Sequence, residues 1–185
     1  NRQGDFHLLE EYAQNKAFNL VEIPGKLLEE AAISSTRIRQ ALLKGEVELA
    51  TSLLGYDYYF EGIVVKGNQL GRTLGYPTAN LVLTDNEKLI PANGVYAVTV
   101  RRISENPVQP KVLKGMMNIG VRPTVDGLNR VIEVNIFNFS EDIYGEVLGI
   151  QVKHRLRAEQ KFDGLDALKA QLAKDKILSE EKLAG

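Results

Sequence analysis

The feature that most constrains the fold is a change in residue composition and hydrophobic pattern after Gly55. From there the sequence becomes a series of short runs rich in Val, Ile, Tyr and Phe, such as "YYFEGIVVKG", "RVIEVNIFNF" and "VLGIQVKHRL". Gly, Pro, Asn and Asp separate these runs at the spacing of strands in an antiparallel barrel or sandwich. In "VYAVTV" the residues alternate, so Tyr96, Val98 and Val100 share one face of a predicted strand. We therefore expect a mainly β domain beyond residue 55.

Helical patterns dominate the first 54 residues. "ISSTRIRQALLKG" opens with good N-cap residues and closes at Gly45, and "EVELATSLLG" closes at Gly55. Upstream, "DFHLLEEYAQ" places Phe6, Leu9 and Ala13 at helical spacing, and "FNLVEI" is a candidate strand. The sequence thus predicts a short, mainly helical segment ahead of the β domain.

A further helix is predicted at the C-terminal end of the β region. "DGLDALKAQLAKD" places Leu165, Leu168 and Leu172 on one apolar stripe. Asp163 precedes the stripe and is the expected N-cap.

Charge and composition narrow the class of protein. The formal net charge is −1, which gives no basic field for nucleic acid or anionic membranes. Cysteine is absent, which excludes disulfides and thiolate metal sites and fits a reducing compartment. No apolar run has the length needed to span a bilayer. We expect a monomeric cytoplasmic protein with small-molecule partners, and no nucleic acid or membrane.

The stretch "KGNQLGRTLGYPTANL" combines glycines at 67, 71 and 75 with two cations, Lys66 and Arg72. Such a segment can bring backbone N–H groups close to a phosphate without obstruction by side chains. It is not a Walker A loop, because the Gly-Lys-Ser/Thr ending is missing. A glycine-rich hairpin without a ligand is the alternative.

Thr78 and Asn80 follow Pro77 at a spacing of two, so they share one face of an extended segment. A hydroxyl oxygen and an amide oxygen are hard ligands that suit Mg²⁺. Neither is charged, so the metal would be held mainly by phosphate oxygens of a nucleotide. The alternative is that both side chains satisfy hydrogen bonds of a turn.

Glu133 lies in "RVIEVNIFNF", in phase with Asn135 and opposite Val134 and Ile136. Both faces of this predicted strand carry apolar residues, and an unpaired buried carboxylate is costly. Glu133 is therefore either a general base for a substrate hydroxyl or a structural carboxylate paired with an arginine.

Several motifs occur together: "GRTLGYPTANL", "PANGVYAV", "NIGVRPT", "IEVNIFNF" followed by "DIYG", and "LRAEQKFDGLDALKAQLAKD". In this order, over roughly residues 56–178, the chain resembles the riboflavin kinase domain of the bacterial bifunctional riboflavin kinase/FAD synthetase family. The resemblance implies a six-stranded antiparallel Greek-key barrel with a C-terminal helix. It also implies ATP-dependent phosphorylation of the riboflavin 5′-hydroxyl, giving FMN and ADP. A barrel that binds flavin or nucleotide without catalysis is the second hypothesis.

The resemblance assigns roles to individual residues. Thr78 and Asn80 would bind Mg²⁺-ATP, and Glu133 would be the catalytic base. Arg157, in a second loop, and Phe162 would contact the flavin. The segment from 67 to 75 would be a mobile flap over the nucleotide, whose expected ATP-binding residues are Gly67, Gly71, Arg72, Gly75, Pro77, Thr78 and Asn80.

Residues 1–54 resemble the end of the adenylyltransferase (FAD synthetase) domain of the same family, and residues 55–185 its kinase domain. "ISSTRIR" matches a motif near the end of that first domain, and Ser34, Ser35, Thr36 and Arg39 would suit a phosphate. An ordinary capped helix is the alternative. The family's H-x-G-H histidine pair is absent from these 185 residues, so we expect the FMN adenylyltransferase activity to be lost.

Overall fold

The computed structural model describes residues 9–10, 12–13, 20–21, 27–28, 31–32, 34–67, 70–103, 111–124 and 127–184. The chain divides into two compact units, Asn1–Ile33 and Ser34–Gly185. The second unit contains every candidate site residue predicted from the sequence.

The first unit contains a two-stranded antiparallel sheet of β1 (Leu27–Leu28) and β2 (Ala31–Ala32). Within the predicted helix over residues 5–14, the described residues 9–10 and 12–13 are helical, and Phe6 lies outside them. The strand predicted over 18–23 is not seen where the structure describes it, because Leu20 and Val21 belong to no regular element. The remaining residues of that prediction lie outside the described part.

Six strands of the second unit close into an antiparallel barrel with the order β3-β4-β7-β6-β5-β8. The strands are β3 (Tyr58–Val65), β4 (Ala79–Leu83), β5 (Gly94–Arg102), β6 (Leu113–Thr124), β7 (Gly127–Ile136) and β8 (Val147–Arg157). Strands β5, β6 and β7 pair in sequence, and β8 returns to lie beside β5, which is the Greek-key order. The fold predicted from the sequence is therefore confirmed.

Alternation along the strands separates the barrel core from the outer face. Tyr96, Val98 and Val100, which the sequence predicts on one face of a strand, are buried in the core together with Val134 and Ile136 of β7. Because successive side chains of a strand point to opposite faces, Glu133 and Asn135 lie on the outer face of the barrel. The outer face of β7 therefore carries the polar groups on which a site can be built.

Two short helices precede the barrel, α1 (Ser35–Lys44) and α2 (Val47–Leu54). Ser34 caps α1 and accepts a hydrogen bond from the Arg37 backbone N–H at 3.3 Å. Gly45 (φ 78°) and Gly55 (φ 81°) end the helices in the left-handed conformation that glycine adopts most easily. Both ends are where the sequence predicts them.

The two helices pack with the barrel. Ala41, Leu42, Val47 and Ala50 belong to the same cluster of buried apolar residues as the inward side chains of the strands. The second compact unit accordingly begins at Ser34. The assignment of residues 1–54 to the remnant of another domain stays a prediction. The described packing shows that residues 34–54 form one compact unit with the barrel.

Helix α3 (Leu70–Thr73) is a single turn between β3 and β4, and α4 (Leu165–Lys182) follows β8. Gly164 (φ 109°) occupies the N-cap of α4 without a side-chain bond, so the cap predicted at Asp163 is wrong. Leu165 is 56% exposed, and the buried residues of α4 are Asp175 and Ser179. Leu165 can be exposed because an ion pair between Asp175 of α4 and Arg157 of β8 holds this helix against the barrel. Among the described residues, no helix combines the length and apolarity required to cross a membrane.

Candidate active site

Three polar residues form a row across the outer face of three neighbouring strands. Asn80 of β4 is the Cα partner of Glu133 of β7, and Glu133 is in turn the partner of Asn118 of β6. Directly opposed residues of antiparallel strands share a face, with their Cβ atoms about 5 Å apart. Strand register therefore brings together two residues predicted from the sequence, Asn80 and Glu133, and adds Asn118.

Pro77 and Thr78 lie just before β4 and are attached to β7. The side-chain amide of Asn135, which is 7% exposed, donates a hydrogen bond from Nδ2 to the Pro77 carbonyl at 2.6 Å. No described residue forms a hydrogen bond with the side chain of Thr78 or Asn80, so the turn-bonding alternative finds no support there. The side-chain oxygens of Thr78 and Asn80 are thus not engaged by any described residue.

Two glycines of the segment at 67–75, Gly67 and Gly71, lie where an added side chain would collide with neighbouring atoms. A Cβ on Gly67 would collide with the side-chain amide of Asn80, and one on Gly71 would collide with the Tyr76 carbonyl oxygen. Gly75 (φ 83°) is left-handed and donates its N–H to the Arg72 carbonyl at 3.2 Å. In the described part of this segment, Leu70–Thr73 forms a single helical turn.

Glu133 is partly buried and paired. Its side chain is 17% exposed, and its Oε1 accepts a hydrogen bond from Arg122 Nη2 at 2.8 Å. An arginine partner was one of the two alternatives raised by the sequence, and it does not exclude the other, because the carboxylate also borders a cavity.

Two cavities meet at Thr78. The first, of about 240 Å³, is called the Glu133 cavity and is lined by Thr78, Asn118, Glu133, Arg157 and Phe162 among others. The second, of about 410 Å³, is called the Arg72 cavity and is lined by Arg72, Pro77, Thr78, Phe139 and Tyr144 among others. A ligand group at Thr78 therefore has access to both.

Arg157 is the last residue of β8, so its predicted place in a second loop is wrong, and helix α4 holds its side chain. Its Nε donates to both carboxylate oxygens of Asp175, at 3.0 and 3.1 Å, and its Nη2 donates to Oδ2 at 2.6 Å. Asp175 is 2% exposed and also accepts from Gln171 Nε2 at 2.8 Å. The Arg157 guanidinium carbon lies 5.6 Å from the centre of the Phe162 ring, within cation–π range. The two residues predicted for the flavin thus lie together on one wall of the Glu133 cavity.

Other predicted residues lie apart from the cavities. Gly67 and Asn80 pack against each other and border neither cavity, and Gly75 lines neither. Four residues near the end of the predicted adenylyltransferase remnant are expected to bind a phosphate, and they lie at the exposed start of α1: Ser34, Ser35, Thr36 and Arg39. The structure does not bring that set to either cavity.

Sequence reasoning missed four functional candidates: Asn118, Arg122, Asn135 and Asp175. Asn135 is in phase with Glu133, and this alternation was a signal for it. Asp175 continues the helical spacing of Leu168 and Leu172, so a polar residue on an otherwise apolar stripe was its signal. For Arg122 no local pattern indicated that its side chain reaches Glu133.

Comparisons with known proteins add to this geometry. A family profile described as riboflavin kinase (Flavokinase) matches residues 54–183. The chain is 40% identical over 180 residues to a bifunctional riboflavin kinase/FMN adenylyltransferase of Escherichia coli strain K12, covering 97% of this chain and 55% of that protein. It is 44% identical over 147 residues to a protein of the same description from Bacillus subtilis strain 168, covering 78% and 44%.

A similar solved structure is described as a macrolide-efflux protein from Streptococcus pneumoniae. It matches with a TM-score of 0.83 and 41% identity, over 92% of this chain and 54% of that one. The chain spans about half the length of the curated relatives it matches.

Proposed function

The chain belongs to the riboflavin kinase family, and on that premise we propose that it transfers the γ-phosphate of ATP to the 5′-hydroxyl of riboflavin, giving FMN and ADP. The observation that carries the proposal is the row Asn80–Glu133–Asn118, which sets a carboxylate beside the "PTAN" segment and on the wall of a cavity. The proposal covers the kinase reaction alone, and we place it in the cytoplasm, which the absence of cysteine fits.

In the proposed reaction the ribityl O5′ attacks the γ-phosphorus, and the bond from that phosphorus to the bridging oxygen of ADP breaks. Glu133 accepts the proton of the hydroxyl. A primary alcohol is a poor nucleophile until a base accepts its proton, and one carboxylate is sufficient for that task. The rest of the catalysis is positioning and charge stabilisation, as in other phosphoryl transfers.

Riboflavin is assigned to the Glu133 cavity. Its apolar wall includes Met116, Leu168 and Leu172, which suit a flavin ring, and Arg157 and Phe162 lie at the same wall. An apolar wall combined with polar groups that fix the orientation of the ligand is typical of small-molecule sites.

ATP is assigned to the Arg72 cavity, with its phosphates directed at Thr78. Arg72 supplies a positive charge at that cavity, and Thr78 borders both cavities. The γ-phosphate at Thr78 would then lie between the nucleotide and the acceptor hydroxyl, as transfer requires.

The donor set fits Mg²⁺ that arrives with ATP. Thr78 and Asn80 offer neutral oxygens without hydrogen bonds to described residues, and no cluster of three or more His, Cys, Asp or Glu in the described part could hold a metal ion. Thr78 and Asn80 would therefore hold the ion together with phosphate oxygens. When bound, the ion supplies neutralisation of charge on the β- and γ-phosphates.

A barrel that binds flavin or nucleotide without catalysis is the second candidate, and the Arg122–Glu133 pair favours it, since a paired carboxylate can be structural. The two are distinguished by mass analysis of products from riboflavin, ATP and Mg²⁺. We expect FMN and ADP in equal amounts, with ADP release that requires riboflavin and Mg²⁺ together. Binding of both ligands without FMN formation would support the second candidate.

A further inference from the structure

Arg122 reaches Glu133 along the β6–β7 ladder rather than directly across it. The Cα partner of Arg122 is Asn129, whereas the partner of Glu133 is Asn118. Asn129 and Glu133 are two same-face positions apart on β7, so the Arg122 side chain extends along the strand by that distance. Its Nη2 lies 2.8 Å from Glu133 Oε1.

The bond leaves the two oxygens of Glu133 in different situations. Oε1 accepts from Arg122, while Oε2 accepts no hydrogen bond from a described residue. Both side chains line the Glu133 cavity. A carboxylate anchored through one oxygen presents the other to the cavity in a defined orientation.

Stability alone does not account for this arrangement. The Arg122 side chain is 37% exposed, so solvent screens its charge and limits what the pair with Glu133 contributes to folding. Orientation of a base, in contrast, has a large effect on rate, because a misplacement of 1 Å can cost about 100-fold.

We propose that Arg122 is a positioning residue for Glu133. Its guanidinium holds Oε1, so that Oε2 faces the acceptor hydroxyl and takes its proton. The inference rests on the proposed riboflavin kinase function. Arg122 acts through Glu133 and contributes nothing once Glu133 can no longer accept a proton.

The test is a double-mutant cycle of kcat with Arg122→Met and Glu133→Gln. We expect Arg122→Met to lower kcat by about 10- to 100-fold, with KM for ATP and riboflavin changed far less, because the base is misplaced rather than a substrate released. In the Glu133→Gln background the same substitution should have no further effect, since the two residues act as one unit.

Two further variants distinguish positioning from folding. Arg122→Lys keeps the charge but loses the planar fork, so it should restore part of kcat. Lys153→Met is the matched control, because Lys153 pairs with Asp57 at similar exposure on another part of the barrel. Its kcat should stay within about 2-fold of wild type.

Equal losses from Arg122→Met in both backgrounds would overturn the inference, because Arg122 would then act independently of Glu133. So would an Arg122→Met variant as active as wild type. A wild-type chain without riboflavin-dependent ADP release would overturn the proposed function itself, and the inference with it.

Discussion

Asn80 and Glu133 face each other as Cα partners across β4 and β7, on the outer face of the barrel. The pairing joins the segment proposed for Mg²⁺-ATP to the proposed base through the backbone ladder, so their separation is set by strand geometry rather than by flexible loops. Rigid elements hold reacting groups more reproducibly than loops do. Substitutions at these positions should therefore change chemistry with small effects on the fold.

Replacement of Glu133 by Gln should lower turnover by about 10²- to 10⁴-fold, the usual contribution of general-base catalysis. The change keeps the shape of the side chain and removes the proton acceptor, so the affinity for ATP should stay nearly unchanged. Steady-state ADP release and calorimetric titration of ATP check both parts. Glu61→Gln is the matched control, because Glu61 is a partly buried strand glutamate that lines neither cavity. Wild-type turnover in the Glu133→Gln variant would show that Glu133 is not the catalytic base.

Thr78→Ala and Asn80→Ala should each weaken Mg²⁺-ATP binding more than riboflavin binding measured without nucleotide. The reason is that both remove a neutral oxygen expected to face the metal and the phosphates. Separate calorimetric titrations of the two ligands measure the difference, with Thr84→Ala beyond the other end of β4 as the control. Equal losses for both ligands would point to a folding role instead.

Asp175→Asn should destabilise the protein and weaken riboflavin binding together. The substitution leaves the Arg157 guanidinium, whose side chain is 18% exposed, without its buried counter-charge, a change that costs on the order of 3 kcal/mol. Denaturant unfolding measures the stability loss, and flavin fluorescence measures the affinity. Asp163→Asn, at an exposed position before α4, is the control. Unchanged riboflavin affinity in a destabilised Asp175→Asn variant would show that the position of Arg157 does not affect flavin binding.

Stability should fall as the pH rises from 10 to 12. Burial raises the pKa of Tyr58 to about 12 from 10.0, with smaller contributions from Tyr56 and Asp85. Its hydroxyl donates to the Leu89 carbonyl at 2.6 Å. The folded state thus binds this proton more tightly than the unfolded chain, so the contribution is complete below pH 10 and is lost as the pH passes 12.

The expected loss from this one group is about 2–3 kcal/mol between those limits. Urea unfolding at several alkaline pH values measures it. Tyr58→Phe should lose less over the same range, although Tyr59, whose pKa burial also raises to about 12, keeps part of the slope. An identical pH dependence in Tyr58→Phe and wild type would exclude Tyr58 as the source.

These 185 residues should convert riboflavin to FMN and form no FAD. Adenylyl transfer develops charge on a leaving pyrophosphate, which needs a preorganised positive pocket. The H-x-G-H pair that supplies part of it in the resembled family is absent from the sequence. Chromatography of a long incubation with FMN, ATP, Mg²⁺ and pyrophosphatase is the measurement. Steady accumulation of FAD would show a working adenylyltransferase site.

Much of the architecture follows from local rules. Alternation places Val134 and Ile136 inside the barrel and Glu133 outside, and the ends of α1 and α2 follow from Ser34, Gly45 and Gly55. These features depend on near neighbours in the chain, which a sequence displays directly.

What could not be predicted depends on distant contacts. Arg122 meets Glu133 only because β6 and β7 pair in one register. The buried face of α4 follows Asp175, whose partner Arg157 lies on another element. At the start of α4 the cap rule that favoured Asp163 fails, because the chain turns at Gly164 with a positive φ.

Leu42 and Val47 lie in the same apolar cluster as Phe60 and Ile150 of the barrel. The stretch matched by the riboflavin kinase family profile begins at Leu54, whereas the compact unit that contains the barrel begins at Ser34. A gene fusion or excision with its breakpoint at residue 54 would therefore cut through a hydrophobic core. A breakpoint that leaves this core intact lies upstream of Ser34, so the folding module is longer than the stretch that the family profile matches.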